Sequence, residues 1–281
     1  MQLISGDEPF MEYKEVTVTD PLRQGDVIES ADENAIKWQR HLVVITADCD
    51  FANEKNQGRV TCVPLLTQEE YVLEFQIPRI REKVIKKSVS ALHVLLSNAG
   101  GPSISLARLR EWPLEQEPTD IVNALRLDEA TSHGAEELME AIRKVSLPPD
   151  DLDDAVQRLV SAQVDVPDGR SLGNAKKDVV SSLISHYSNP PGDALFLSSV
   201  APHMRDGYFV YLRHLEQISQ PDIALGPTRS PVSYRRLARL HDRFIHAVSQ
   251  RFASVFMAIG LPNEYEKMRD SYSERLGERY K

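Results

Sequence analysis

The hydrophobic pattern of this chain changes its period twice, and this change constrains the fold more than any other feature. Short β-branched runs bounded by turn residues, such as "RHLVVIT" and "RVTCVPLLT", predict paired strands in the first part of the chain. From residue 80 to residue 186 the apolar spacing is helical, and Gly100 and Gly101 mark the end of the first long helix. β-rich segments return at residues 193–200 and 207–218. The chain therefore has a helical block between two β blocks.

Neither β block alone supplies enough strands for an independent sheet, because a stable sheet needs three or more strands with a shared apolar face. We therefore predict an α+β fold in which residues 1–79 and 190–231 form one discontinuous, small antiparallel β-barrel. Residues 80–189 would be an all-helical insertion in this barrel. The alternating segment "EVTVT", residues 15–19, is predicted as the first strand. Two consecutive domains are the alternative.

A long helix is predicted to close the chain. Apolar side chains recur every three or four positions from residue 232 to residue 259, and the sequence Gly-Leu-Pro at residues 260–262 is a helix stop. We expect residues 232–281 to pack on the barrel as a C-terminal helix.

A basic stripe follows from this helix prediction. Arg235, Arg239 and Arg243 are four residues apart, so they would lie on one helix face. Arginines in such a row bind phosphates or an acidic protein surface. The alternative is a solvated face opposite the apolar stripe.

The predicted strand "HLVVIT" runs into Asp48, Cys49 and Asp50, which form the strongest local candidate for a site. On an extended chain the two carboxylates would point to one side and the thiol to the other. The carboxylates could then share a metal ion or act as an acid–base pair, because nearby like charges raise one pKa. Two adjacent anions argue against a nucleophilic thiolate at Cys49. The alternative is that the aspartates mark the exposed strand end and cap the loop, while Cys49 fills a gap in the core. Cys49 and Cys62 lie on neighbouring predicted strands and could also face each other.

Composition and motifs exclude several functional classes. The net charge of −9 argues against non-specific nucleic-acid binding, which depends on basic side chains. The sequence contains no P-loop, GxGxxG, HExxH or GxSxG motif, and its eight histidines are scattered, so we expect no metal and no cofactor. Two cysteines do not make a disulfide framework. No apolar run is long enough to span a bilayer, so we expect a cytoplasmic protein without membrane association.

Residues 23–67 contain, in order, "QGDVI", "RHLVVIT", a polar loop with an asparagine, and "VTCVPLLT". In this order of motifs the segment resembles the N-terminal half of the MazF/PemK-like toxin family. The resemblance implies a small curled barrel of the Src-homology-3 type, with Gly25 and Asp26 in the opening turn. The catalytic arginine and threonine of the family would correspond to Arg40 and Thr67. Many members of the family are endoribonucleases of toxin–antitoxin pairs.

Two functions follow as hypotheses. In the first, the barrel is a non-catalytic or regulatory subunit that binds a protein partner or a second copy of itself. By analogy, it would act in a bacterial stress-response or phage-defence-type assembly, with "ADCD" as a recognition or capping element. In the alternative, the chain cleaves RNA with Arg40 and Thr67, since an arginine can stabilise charge on a phosphate under attack. The carboxylates of Asp48 and Asp50 would repel RNA phosphates, and this favours the first hypothesis.

Overall fold

The computed structural model describes residues 10–188, 191–226, 231–257 and 263–279. The chain forms two compact units, and each is built from segments that are discontinuous in sequence. The half-barrel unit comprises Met1–Leu65, Gly192–Arg205 and Val210–Lys281. The helical unit comprises Leu66–Pro191 and Asp206–Phe209.

One curled sheet organises the strands. In the described residues its nine strands are β1 (Tyr13–Lys14), β2 (Asp26–Ser30), β3 (His41–Val44), β4 (Arg59–Thr67), β5 (Ala194–Leu197), β6 (Tyr208–Tyr211), β7 (Glu216–Ser219), β8 (Ile223–Ala224) and β9 (Tyr234–Leu240). Their order is β1–β9–β2–β3–β4–β6–β5, while β7 pairs with β4 and β8 pairs with β9. β9 is antiparallel to β1 and β2, and β3 is antiparallel to β2 and β4, whereas β8 runs parallel to β9. The sheet curls into a half-barrel. The prediction of an α+β fold with an antiparallel sheet is confirmed.

Burial on β2 shows that both faces of the sheet are covered there. Val27 and Ile28 are both 0% exposed, although neighbouring residues of a strand point to opposite faces.

Short helices α1 (Lys37–Arg40) and α2 (Asp48–Ala52) follow β2 and β3, and helices α10 (Asp242–Met257) and α11 (Asn263–Arg279) follow β9.

Gly25 brings the chain into β2 through a turn that favours glycine. Its φ of +86° lies in the left-handed region, where a side chain is strained. Its N–H donates to the carbonyl of Val44 at 2.8 Å, and its own carbonyl accepts from the N–H of Leu240 at 2.9 Å. A Cβ at this position would overlap the side chain of Ile245 on α10. The turn therefore ties β2 to β3 and β9 only if residue 25 is a glycine.

The predicted C-terminal helix is wrong in its first part. The segment Tyr234–Leu240 is strand β9, which lies between β1 and β2 in the sheet, and the helix begins only at Asp242. Hydrogen bonds to neighbouring strands on both sides stabilise the extended form, and such tertiary pairing overrides a local helical pattern. A separate helix, α11, follows α10. The predicted stop at residues 260–262 lies outside the described residues.

The predicted first strand is also misplaced. β1 is Tyr13–Lys14, and the segment 15–19 that alternates in sequence is not a strand. Instead, the carboxylate of Asp20 accepts a hydrogen bond from the N–H of Thr17 at 2.7 Å and closes a turn. An aspartate side chain bonded to a nearby backbone N–H competes with strand pairing in this way.

The helical unit contains the helices that the sequence predicts between residues 80 and 186. The described elements are α3 (Gln68–Tyr71), a π-helical turn (Val72–Gln76), α4 (Ile77–Asn98), α5 (Leu106–Glu115), α6 (Pro118–Leu125), α7 (Glu129–Ser146), α8 (Leu152–Val164) and α9 (Leu172–Ser188). α4 packs mainly on α7, and the core contains Leu92, Ile142 and Leu159. Asp128 and Asp151 cap the N-termini of α7 and α8 through their carboxylates. In the described part of the chain, none of the helices has the length and apolar composition needed to cross a bilayer.

Candidate functional site

A buried ionic cluster lies where β2 and β9 meet. Asp26, the first residue of β2, is 0% exposed. Its carboxylate accepts hydrogen bonds from Nε and Nη2 of Arg239 at 2.6 and 3.1 Å, and from the backbone N–H of Arg23 at 2.9 Å. Nη1 of Arg236 lies 3.4 Å from the same carboxylate. One buried anion is thus bound by two buried guanidinium groups.

The two guanidinium groups also bind backbone carbonyls. Arg239 donates from Nη2 to the carbonyl of Pro21 at 2.7 Å. Arg236 donates from Nη1 to the same carbonyl at 3.1 Å, and from Nη2 to the carbonyls of Thr17 at 2.7 Å and Leu225 at 3.4 Å. Because a buried charge is stable only when it is paired and hydrogen-bonded, these contacts fix the loops around β2 and β9.

A β-bulge brings both arginines to the same carboxylate. Val27 lies opposite Ala238 and Ile28 lies opposite Arg236, so Leu237 is the extra residue on β9. Side chains three positions apart on a regular strand point to opposite faces. The bulge changes this alternation by one residue, and both guanidinium groups can then reach Asp26.

The predicted basic stripe is therefore wrong. Arg235 is exposed on β9, Arg239 is buried in the ionic cluster, and Arg243 lies on α10. The guanidinium of Arg243 lies 4.8 Å from the ring centre of Phe10 and 4.9 Å from that of Phe244. Arg243 therefore makes cation–π contacts, whereas Arg235 is exposed and Arg239 is buried in the ionic cluster. The three arginines do not lie on one helix face because two of them belong to a strand.

The segment "ADCD" is helical rather than extended. Asp48, Cys49 and Asp50 begin helix α2, so strand alternation does not bring the two carboxylates to one side. The Asp48 carboxylate accepts hydrogen bonds from Nε and Nη2 of Arg23 at 3.0 and 2.7 Å and from the N–H of Gln24 at 2.9 Å. Asp48 thus joins the turn before β2 to the start of α2. Acidic residues in a first helical turn are favourable because they face the positive end of the helix dipole.

The two cysteines do not face each other. Cys49 is exposed on α2, and Cys62 is buried at 0% exposure on β4. Burial raises the pKa of the Cys62 thiol well above its ordinary value, because the thiolate would lose its hydration. The expectation that Cys49 fills a gap in the core is wrong, and Cys62 has that role.

Arg40 and Thr67 belong to different units. Arg40 is the last residue of α1 in the half-barrel unit and is half-buried. Thr67 belongs to the helical unit and is the N-cap of α3. Its hydroxyl accepts the N–H of Glu70 at 3.2 Å, and its own N–H donates to the Glu70 carboxylate at 2.9 Å. The Thr67 hydroxyl therefore has a structural role in a reciprocal capping box.

An apolar cavity of about 430 Å³ opens on the half-barrel unit. Its lining residues come from three separate parts of the sequence, namely Pro21, Leu22, Gly58, Gln220, Pro221, Ile223 and Leu225. The rim is held by hydrogen bonds: the N–H of Gln220 donates to the carbonyl of Gly58 at 2.8 Å, and Nδ2 of Asn56 donates to Oε1 of Gln220 at 2.9 Å. Pro21, whose carbonyl binds both arginines of the ionic cluster, forms part of the wall.

The sequence analysis did not identify this cavity, and it did not pair Asp26 with the arginines. Prolines and leucines in separate turns carry no motif, because they meet only after the sheet has formed. It also missed Glu12, which is buried and accepts hydrogen bonds from the N–H groups of Ser198 and Ser199, each at 2.8 Å. A lone carboxylate near the start of a chain gives no signal for such a distant contact.

No cluster of three or more metal-ligating side chains occurs among the described residues. A scan against models of known protein families found no match, and neither did searches of curated proteins and of solved structures.

Proposed function

We propose that this chain is a non-catalytic binding protein whose half-barrel unit docks a partner protein at the apolar cavity. The cavity itself is the observation that carries the proposal. Its volume of about 430 Å³ and its wall of prolines, leucines and isoleucine suit an apolar anchor side chain of a partner. Gln220 at the rim supplies an amide that can hydrogen-bond the partner's backbone.

The ionic cluster supports this proposal by holding the cavity wall in place. Arg236 and Arg239 both donate to the carbonyl of Pro21, and Arg236 also reaches the carbonyl of Leu225. A wall that is fixed before binding lowers the entropic cost of association. We propose that the buried charges serve to preorganise the binding surface.

We also propose the finer fold and biological setting that the family resemblance implies. The half-barrel would be a MazF/PemK-like barrel of the Src-homology-3 type, interrupted by the helical unit, whose first helix begins at Gln68 rather than at the predicted residue 80. The left-handed backbone of Gly25 directly before β2 supports this proposal, because the resemblance expects Gly25 and Asp26 at the opening turn. The partner would then belong to a bacterial stress-response or phage-defence-type assembly.

The alternative is an RNA-cleaving enzyme in which the hydroxyl of Thr67 belongs to the active site. This hydroxyl would have to leave the capping box of α3 in order to reach a phosphate. Loss of an N-cap interaction costs about 0.5–2 kcal/mol. We therefore favour the binding function.

A pair of matched variants tests the proposal. Leu225→Arg places a charge in the cavity wall, whereas Leu215→Arg places the same charge at a leucine of the same unit that is 44% exposed and outside the cavity. The tagged wild-type chain, purified natively from its source cells, should bring down a stoichiometric partner. We expect Leu225→Arg to lose this partner and Leu215→Arg to keep it. A wild-type chain that elutes alone, or equal retention by both variants, would contradict the proposal.

A further inference from the structure

A groove with more basic than acidic side chains lies in the helical unit. This groove between α4 and α9 has a main cavity of about 190 Å³, and its charged lining residues are Lys83, Lys87, Arg170 and Asp178. A smaller cavity of about 80 Å³ continues from it and shares Lys87 and Arg170. The main cavity therefore carries three positive charges and one negative charge, and the smaller cavity adds the carboxylate of Asp168.

Among the described residues, the lysines of this unit differ from most of its arginines, because none of these lysines has an ion-pair partner. Most arginines here pair with a carboxylate, as in Arg108–Glu115, Arg110–Glu82, Arg143–Glu117 and Arg158–Asp154. In the described part of the chain, by contrast, Lys83 and Lys87 have no ion-pair partner. They are four residues apart on α4, so they repel each other on one helix face. An anion bound between them would relieve this repulsion.

The loop before α9 places Arg170 at the groove. The N–H of Arg170 donates to the carbonyl of Gln163 at 2.8 Å, and the N–H of Gly169 donates to the carbonyl of Val166 at 2.8 Å. A Cβ on Gly169 would come within 2.7 Å of the Val166 carbonyl oxygen and closer still to that of Val164. Arg170 pairs with Asp178, but a guanidinium has five N–H donors, so others remain for a ligand.

We propose that this groove binds the phosphate group of a small phosphorylated ligand. The main cavity, in which basic side chains outnumber the single carboxylate of Asp178, suits a phosphate monoester, which carries about −1.5 to −2 at neutral pH. The two cavities are too small for a nucleic-acid strand, and no aromatic side chain lines them to stack on a base. The site is separate from the half-barrel cavity and does not depend on the function proposed for it.

Titration calorimetry of the full chain tests this site, with inorganic phosphate and pyrophosphate as probes at low ionic strength. We expect saturable binding of at least one probe, and Lys87→Gln should weaken it about tenfold to a hundredfold, as expected for a lost hydrogen bond to a charged group. Lys86→Gln is the matched control, because Lys86 is exposed on the same helix but lines neither cavity. It should change the affinity less than twofold.

Three results would overturn the proposal. The first is that the wild-type chain binds neither probe, and the second is that both lysine variants weaken binding equally, which would indicate diffuse electrostatics. The third is that a labelled RNA 12-mer binds with a steeper salt dependence than the probes and loses binding in Lys87→Gln, which would make the groove a nucleic-acid site. Leu225→Arg should bind the probes like the wild type, so failure of this site is distinguishable from failure of the half-barrel proposal.

Discussion

Replacing Asp26 with asparagine removes the carboxylate that both guanidinium groups of the ionic cluster bind. Asp26 is 0% exposed, and the two arginine side chains are 1% and 7% exposed, so solvent cannot replace the lost charge. Breaking a buried ion pair costs about 3–5 kcal/mol. The carbonyl contacts of the guanidinium groups remain, and the asparagine oxygen can still accept a hydrogen bond. We therefore expect Asp26→Asn to destabilise the half-barrel unit by about 3 kcal/mol, and Asp26→Ala by nearer to 5 kcal/mol.

Asp48→Asn is the control for this experiment. Asp48 also binds an arginine, Arg23, but the two side chains are 43% and 53% exposed. Exposed pairs of this kind contribute about 0.2–1 kcal/mol. The same chemical change should therefore have a much smaller effect at position 48 than at position 26.

The two tryptophans allow the half-barrel unit to be followed alone. Trp38 belongs to this unit and Trp112 to the helical unit, so urea unfolding of variants in a Trp112→Phe background reports on the half-barrel. A cost of 3 kcal/mol is a large fraction of a typical stability of about 5–15 kcal/mol. If Asp26→Asn and Asp48→Asn lower the free energy of unfolding equally, the ionic cluster does not have the structural role described here.

Further predictions follow from the same contacts. In the native protein a thiol reagent should modify Cys49 and spare Cys62, whose raised pKa and burial protect it, and labelling of both without denaturant would contradict the fold. Gly25→Ala should lower the free energy of unfolding by about 2–4 kcal/mol, because it combines a positive φ with overpacking against α10, and an unchanged urea midpoint would refute this. The hydrogen bond from Arg110 holds the pKa of Glu82 below its ordinary value of 4.5. The stabilisation of the fold by this pair is therefore present above pH 4.5 and is lost as the pH falls through the lower pKa of the folded state. The difference in urea midpoint between the wild type and Glu82→Gln should therefore exist at pH 7 and disappear in acid.

Local sequence signals were sufficient for the helical character of residues 80–186. Apolar residues at helical spacing, and Gly100 and Gly101 after α4, predict it without tertiary information. Each signal acts within a few residues of the element that it defines.

The half-barrel unit was harder to predict because its key contacts are non-local. The segment "YRRLARL" has helical spacing, yet it becomes β9 because β1 and β2 lie on either side of it. The bulge at Leu237 then brings two arginines to Asp26, about 210 residues earlier in the chain. The aspartates of "ADCDFAN" are compatible with a first helical turn as well as with a strand end, so this segment was ambiguous in sequence.

The central claim, that the chain binds rather than cleaves, is tested most directly by incubating purified protein with end-labelled total RNA. The reaction should be run with and without divalent metal, and the fragments resolved on a denaturing gel. We predict that the wild type, Arg40→Ala and Thr67→Ala all leave the RNA as intact as buffer does. Cleavage by the wild type that is lost in both variants would contradict the claim and establish the nuclease alternative.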